Sequence, residues 1–168
     1  HPHQRRGRIH QEGRHVDRLA WCAEQARGLR LTEPDDNLGD AHIRKAEEAL
    51  GAMRELTSKD WQATAAYYTM YHAVYALLAR IGIKSGIHTC TLEAAKRHLT
   101  NHLTKAQLAI IDKAFDTRQK AQYHVRDTVP KPDHDHVTAA APAILATCKH
   151  ATITQAETER TRKAIKAL

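Results

Sequence analysis

Hydrophobic positions along the chain recur at helical spacing, and no stretch alternates in the manner of a half-buried strand. Ile43, Ala46, Leu50, Met53 and Leu56 form one stripe. They predict an amphipathic helix from about Asp40 to Leu56, with Glu47 and Glu48 on its solvent side. Thr57-Ser58-Lys59-Asp60 is a short break rich in capping residues. The next segment, Trp61 to Ile81, is apolar nearly all round, the pattern of a helix covered on several sides. Gly82 closes it, and IKSGIHT reads as a loop. A short helix over Leu92 to Leu99 ends before Asn101, and Thr104 is placed to cap the next one. That helix runs from Lys105 to about Val125 on the stripe Ile111, Ala114, Phe115, Ala121, Val125. The prolines of VPKPD stop it. A last helix is expected after Asp133, kinked at Pro142, with Val137, Ala140, Ile144, Leu145 and Cys148 facing inward. Before the bundle, Val16, Leu19, Ala20, Ala23 and Ala26 predict a short helix from His15 to Leu29, too small-sided to dock firmly. The last eighteen residues are charged and are expected to fray. The architecture is all-α: a five-helix up-and-down bundle over 37–150, a basic arm with a short helix over 1–36, and a charged helical extension over 151–168.

Composition narrows this further. With 168 residues and 42% hydrophobic content, the chain has enough apolar surface for one core. Seven glycines and five prolines are too few for a barrel or sandwich of many short strands. No proline falls between Pro34 and Pro130, so helices run uninterrupted. Cys22, Cys90 and Cys148 are far apart, odd in number and without a CxxC pair. They suggest neither a zinc ribbon nor a disulfide scaffold, and a reducing, cytoplasmic setting is expected. The opening HPHQRRGRIH lacks the apolar core of a signal peptide and reads as an unstructured arm. Ala63 to Ile83 carries four Tyr, a His, an Arg and two Thr, too polar for a membrane span, so no membrane partner is expected.

The formal charge of +7 is unevenly spread. Residues 31–79 hold four bases against eight acids, whereas residues 80–131 hold ten bases against four acids, together with His88, His98, His102 and His124. A basic segment inside the folded region points to a polyanion, with nucleic acid the commonest. Lys84, Lys96, Arg97 and Lys120 are the exposed cations expected to meet it.

Two features carry potential chemistry. Tyr67, Tyr68, Tyr71 and Tyr75 fall within nine residues, with His72 among them. Either they pack as core with each hydroxyl satisfied, or they form an amphipathic surface for a second subunit or for stacking bases. The second feature is Arg118, which interrupts the apolar stripe of its helix. A guanidinium keeps its proton, so its burial without a partner is costly. Either an acid meets it inside, with Asp36, Asp40 and Asp60 as partners, or its face opens onto a cleft. His124 follows six residues later, about 120° round the helix and about 9 Å along it. The two converge on one ligand more readily if a second copy of the helix shares the cleft. An Arg on a phosphate and a His that exchanges protons near neutrality suffice to cleave RNA without metal. Asp133-His134-Asp135-His136 superficially suggests a metal, but nothing completes a coordination set and Asp133 more simply caps its helix. No metal or other cofactor is expected.

The segment WQATAAYYTMYHAVYALLARIGIKSGIHT, followed by RQKAQYH, resembles the HEPN superfamily (higher eukaryotes and prokaryotes nucleotide-binding domains), most of all its small stand-alone prokaryotic branch. Members of that branch carry a paired-Tyr helix reading like AYYAMFHAARALL, a loop with Gly and His, and a late helix with RxxADY. Ala66-Tyr67-Tyr68, Met70, His72-Ala73 and Ala76-Leu77-Leu78 match the first, Gly82 and His88 the second, and Arg118, Ala121 and Tyr123 the third. Gln122 stands where the branch has Asp. The resemblance implies a dimeric helical bundle. It also implies a metal-independent endoribonuclease of toxin or defence type, cleaving RNA between protomers and paired with a nucleotidyltransferase-type antitoxin. Arg118 and His124 fit the signature of Arg, four to six residues, then His, as the catalytic pair. Tyr123, Lys120, Tyr68, His72, Lys84 and His88 are the residues expected to bind RNA or nucleotide. A non-catalytic module binding nucleotide or the partner nucleotidyltransferase is the alternative it leaves.

Overall fold

The computed structural model describes residues 17–168, so the expected helix start at His15 and Val16 lies outside the described residues. Seven helices and one two-stranded ribbon make up the described chain: α1 Arg18–Glu24, β1 Leu29–Leu31, α2 Asp36–Glu55, α3 Lys59–Ile81, β2 Ile83–Ser85, α4 His88–His98, α5 Lys105–Tyr123, α6 Lys131–His150 and α7 Gln155–Lys166. The fold is all-α, as the helical periodicity implies.

Helix α3 is the axis. Ser58 caps its start by accepting from the Trp61 N–H, and sixteen of its 23 residues are buried. Its faces are rich in alanine, which lets neighbours approach closely. Helix α2 packs along it most extensively, followed by α6 and α5. Gly39 marks the tightest approach, because a Cβ there would lie 2.7 Å from Cγ of Arg80. Four of the other helices, α1, α2, α5 and α7, begin at capping side chains. Asp35 accepts from the Leu38 N–H, and Thr104 with Gln107 forms a reciprocal capping box. Asp133 does not cap α6. It lies inside the first turn and pairs with Lys113 at 3.0 Å. His134 contacts Gln62 and Asp135. Helix α6 starts at Lys131, ahead of the expected position, and continues through Pro142, whose ring removes one hydrogen bond from the ladder.

Four further departures from the sequence reading have clear causes. The loop after Gly82 contains β2, which pairs antiparallel with β1, Leu29 opposite Ser85 and Leu31 opposite Ile83. Three-residue strands are too short to show alternation. Helix α4 begins at His88, a turn earlier than expected, and its start has no side-chain cap to announce it. The charged tail does not fray. Glu157, Thr161 and Ile165 of α7 are buried, Glu157 lies 2.8 Å from Nε2 of His102, and Arg162 donates to the carbonyls of Thr32, Ile81 and Gly82. A cation at the C-terminal end of α3 also meets the negative end of its dipole. Finally, Cys22 and Cys90 form a disulfide that joins α1 to α4 across 68 residues, contrary to the expectation of free thiols in a reducing setting. Sequence separation concealed the pair. Cys148 is free and buried.

Gly82 is the one residue among those described with a positive φ, at 86°. A Cβ there would lie 2.3 Å from Arg162 Nη1 and 2.5 Å from the Thr32 carbonyl oxygen. Gly82→Ala is expected to destabilise the protein by about 1–3 kcal/mol, the usual cost of a non-glycine residue held in a sparsely populated backbone region. Thermal unfolding checks this, and an unchanged midpoint contradicts it.

Candidate functional site around Arg118

The tyrosine ridge of α3 faces α4 and α5, and Arg118 lies on it. The Arg118 guanidinium carbon is 5.3 Å from the ring centroids of both Tyr67 and Tyr68. These two rings meet edge to face at 5.3 Å, so the cation contacts two π systems together. Phe115, one turn earlier on α5, packs 5.7 Å from Tyr67. Behind the pair lies His88, the first residue of α4. Its Nδ1 is 2.6 Å from the Tyr67 hydroxyl, and its ring stacks on Tyr71 at 4.1 Å and 8°.

Among the described residues, no acid meets Arg118. Asp40 binds Arg80, Asp60 accepts from the Val129 N–H, and Asp36 lies in the first turn of α2. Nε of Arg118 is buried without a hydrogen-bond partner. The internal ion pair is thus not formed, and the aromatic contacts carry the cation. The surroundings are neutral. Burial, and then the Arg118 charge, holds His88 below the ordinary imidazole value, and burial pushes the Tyr67 and Tyr71 hydroxyls up. A fixed cation in a neutral aromatic wall, without a carboxylate, is suited to an anion with several oxygens.

The other expected site residues are dispersed. His124 is the exposed C-cap of α5 and lines a recess of about 210 Å³ with Lys120, Asp127 and Asp133 at the start of α6. Arg118 faces α3 instead, so a single chain does not bring Arg118 and His124 together. Tyr123 is 72% exposed. Lys84 is exposed on β2 and shares a shallow basic recess with Arg27 and Arg30. Lys96 is committed to Glu93 and Asp112, and Arg97 to Asp17, so these two are not the free cations the sequence suggested.

A family model, that of the HEPN domain, matches residues 40–151. The chain belongs to the HEPN family. No curated protein matches it.

Two features of this HEPN chain escaped sequence reading. One is His42, whose Nδ1 is 3.0 Å from Nδ1 of His72 across the α2–α3 contact, with its ring 4.4 Å from Tyr75. The only signal was a polar residue flanking the apolar stripe of α2. The second is the groove beside this pair, about 410 Å³, walled by Tyr68, His72 and Leu56 and by Trp61, which is 60% exposed. Trp61 also lines a recess with Ala121 and with Val125, which is 89% exposed. Uncovered apolar surface therefore runs from α2 past the Arg118 wall to the end of α5.

Two outcomes follow from this geometry. Arg118→Met keeps the volume and removes a polar group without a partner, so its stability should stay within about 1 kcal/mol of wild type. An Arg held by a buried acid would instead lose about 3–5 kcal/mol on truncation. Denaturant unfolding separates the two. The second outcome concerns acid. Burial, with His42 alongside, holds His72 down to about 4, against 6.5 for a free imidazole. The unfolded chain therefore binds more protons than the native one between these values. The contribution is complete above about pH 6.5 and is lost as the pH falls toward 4. His72→Gln, which does not titrate, should flatten the fall in unfolding temperature over that window. An unaltered slope contradicts the assignment.

Proposed function

We propose that this HEPN protein is a metal-independent endoribonuclease, a toxin or defence component of the cytoplasm, that cleaves RNA in a cleft between two protomers. The observation that carries this reading is Arg118, a permanent cation resting on two tyrosines with no acid among the described residues to neutralise it. The scissile phosphate supplies the missing anion, with its non-bridging oxygens accepting from the guanidinium. His124 of the facing protomer takes the proton from the ribose 2′-hydroxyl. The 2′-oxygen attacks phosphorus, the bond to the 5′-oxygen breaks, and that oxygen leaves with the proton that His124 carries, which returns the imidazole to its neutral form. The products are a 2′,3′-cyclic phosphate and a 5′-hydroxyl. Arg118 stabilises the extra negative charge on the phosphorane.

The exposed Trp61, Leu56, Tyr123 and Val125 around the site support a homodimer, since they leave apolar surface for a second copy to cover. The net charge of +7, and the basic recess of Lys84, Arg27 and Arg30, support a polyanionic substrate. A nucleotidyltransferase-type antitoxin is the partner proposed for such a toxin. The alternative, a non-catalytic module that binds nucleotide or that partner, draws on the separation of Arg118 from His124 within one chain.

Mixing variants tests the shared cleft. Arg118→Ala and His124→Ala homodimers should each lose about 10²–10⁴-fold in RNA cleavage, the usual worth of a general acid or base. Subunit exchange between them should restore activity, because a mixed dimer regains one site with Arg118 and His124 from opposite chains. EDTA should have no effect. No recovery on mixing contradicts the shared site, and intact RNA with wild-type protein leaves the binding module.

A further inference from the structure

The disulfide lies directly behind the Arg118 site. Cys90 is the third residue of α4, two positions after His88 and next to Thr91. His88 bonds Tyr67 and stacks on Tyr71. Thr91 donates to the Ser85 hydroxyl, and the Ser85 N–H donates to the Tyr75 hydroxyl. The turn of α4 that carries Cys90 is therefore the turn that holds Tyr67, one of the two rings beneath Arg118, and its neighbours Tyr71 and Tyr75. At its other end the bond holds α1, which has seven residues and only two buried side chains, Leu19 and Cys22 itself. Its polar tie is the exposed pair of Asp17 with Arg97. A helix of that length has no stability of its own.

We propose that Cys22–Cys90 is a thiol-exchange site, opened by a dithiol reductant, whose opening releases α1 and loosens the Arg118 site. Only the last consequence rests on reading Arg118 as a phosphate site. A cavity of about 380 Å³, lined by Arg18, Trp21, Cys22, Thr89 and Glu93, gives an approach from the Cys22 side. The reductant's thiolate attacks Cys22 Sγ, the S–S bond breaks, and the electron pair leaves on Cys90 Sγ. The reductant's second thiol then attacks its own mixed-disulfide sulfur and expels Cys22. Two electrons pass to the protein, the reductant becomes a cyclic disulfide, and its two protons end on Cys22 and Cys90. Cys148 stays apart, because burial pushes its thiol up to about 12. In a reducing compartment a disulfide of this kind is transient and regulatory, not structural.

The test uses the native full chain, oxidised and then treated with millimolar dithiothreitol. Alkylation counted by mass reports the thiols, hydrogen exchange reports residues 17–24 and 88–91, and anisotropy with a single-stranded RNA oligonucleotide reports the site. Without denaturant, Cys22 and Cys90 should become alkylated and both segments should exchange faster. RNA affinity should fall by about 5-fold or more, the lower end of ordinary coupling between sites. Cys22→Ser should reproduce the reduced behaviour and no longer respond to dithiothreitol, with circular dichroism confirming the fold. Cysteines that resist alkylation until the protein is denatured overturn the proposal, as does full reduction with unchanged exchange at 88–91. If the oxidised protein binds no RNA, the phosphate reading of Arg118 fails separately. Exchange at 88–91 then decides the switch alone: acceleration on reduction supports it, and no change overturns it.

Discussion

The fold depends on the burial of α3. A 23-residue helix with sixteen buried positions cannot be covered by one neighbour, so α2, α4, α5, α6 and α7 are all drawn onto it. Its alanines set how close they come, and Gly39 on α2 shows how little room remains. Burying roughly this much apolar side chain is the dominant favourable term in a domain of this size. The surrounding helices are amphipathic because they have one such surface to cover.

The candidate site follows from the tyrosines of α3. Tyr67, Tyr71 and Tyr75 are buried and Tyr68 is half-buried, and buried hydroxyls call for polar partners, two of which come from elements around them. Tyr67 takes His88, and Tyr75 takes the Ser85 N–H. The ring faces of Tyr67 and Tyr68 remain, and their quadrupoles attract Arg118. The contact holds the cation without neutralising it. A carboxylate in the same place would have made a stable ion pair and removed the capacity to bind an anion. The lowered pKa of His88 belongs to the same arrangement, since burial, and then the Arg118 charge, disfavours a second cation there.

What could be read from the sequence was what depends on local periodicity. The all-round apolar pattern from Trp61 to Ile81 identified the central helix, and Arg118 stood out because it broke a stripe. Less was legible where the decisive partner is distant in sequence. Cys22 and Cys90 are brought together by the packing of α1 on α4, and His42 meets His72 across thirty positions. The charged composition of 151–168 suggested solvent. Yet Arg162 finds three carbonyls at the end of α3, and His102 lies against Glu157. Such a segment cannot be told from a frayed tail until those partners are in place. The exposed position of His124 follows from α5 ending at Tyr123, two residues short of the expected end, a difference no propensity resolves.

The two ends of α3 are therefore unequal. Its C-terminal end is closed on every side by the Gly82 turn, the β1–β2 ribbon, Arg80 with Asp40, and Arg162 from α7. Backbone carbonyls there are satisfied and apolar side chains are covered. Its N-terminal half carries the unneutralised Arg118 contact, the His42–His72 pair, and Trp61, Leu56 and Val125 exposed to solvent. A chain that needed only stability would have placed a covering helix on that end as it did on the other. Apolar and cationic surface exposed together, on a bundle anchored firmly at the far end, is what the proposed reading requires. Single-stranded RNA combines flat apolar rings with negative charge, and the proposed second copy of the chain would cover the apolar remainder.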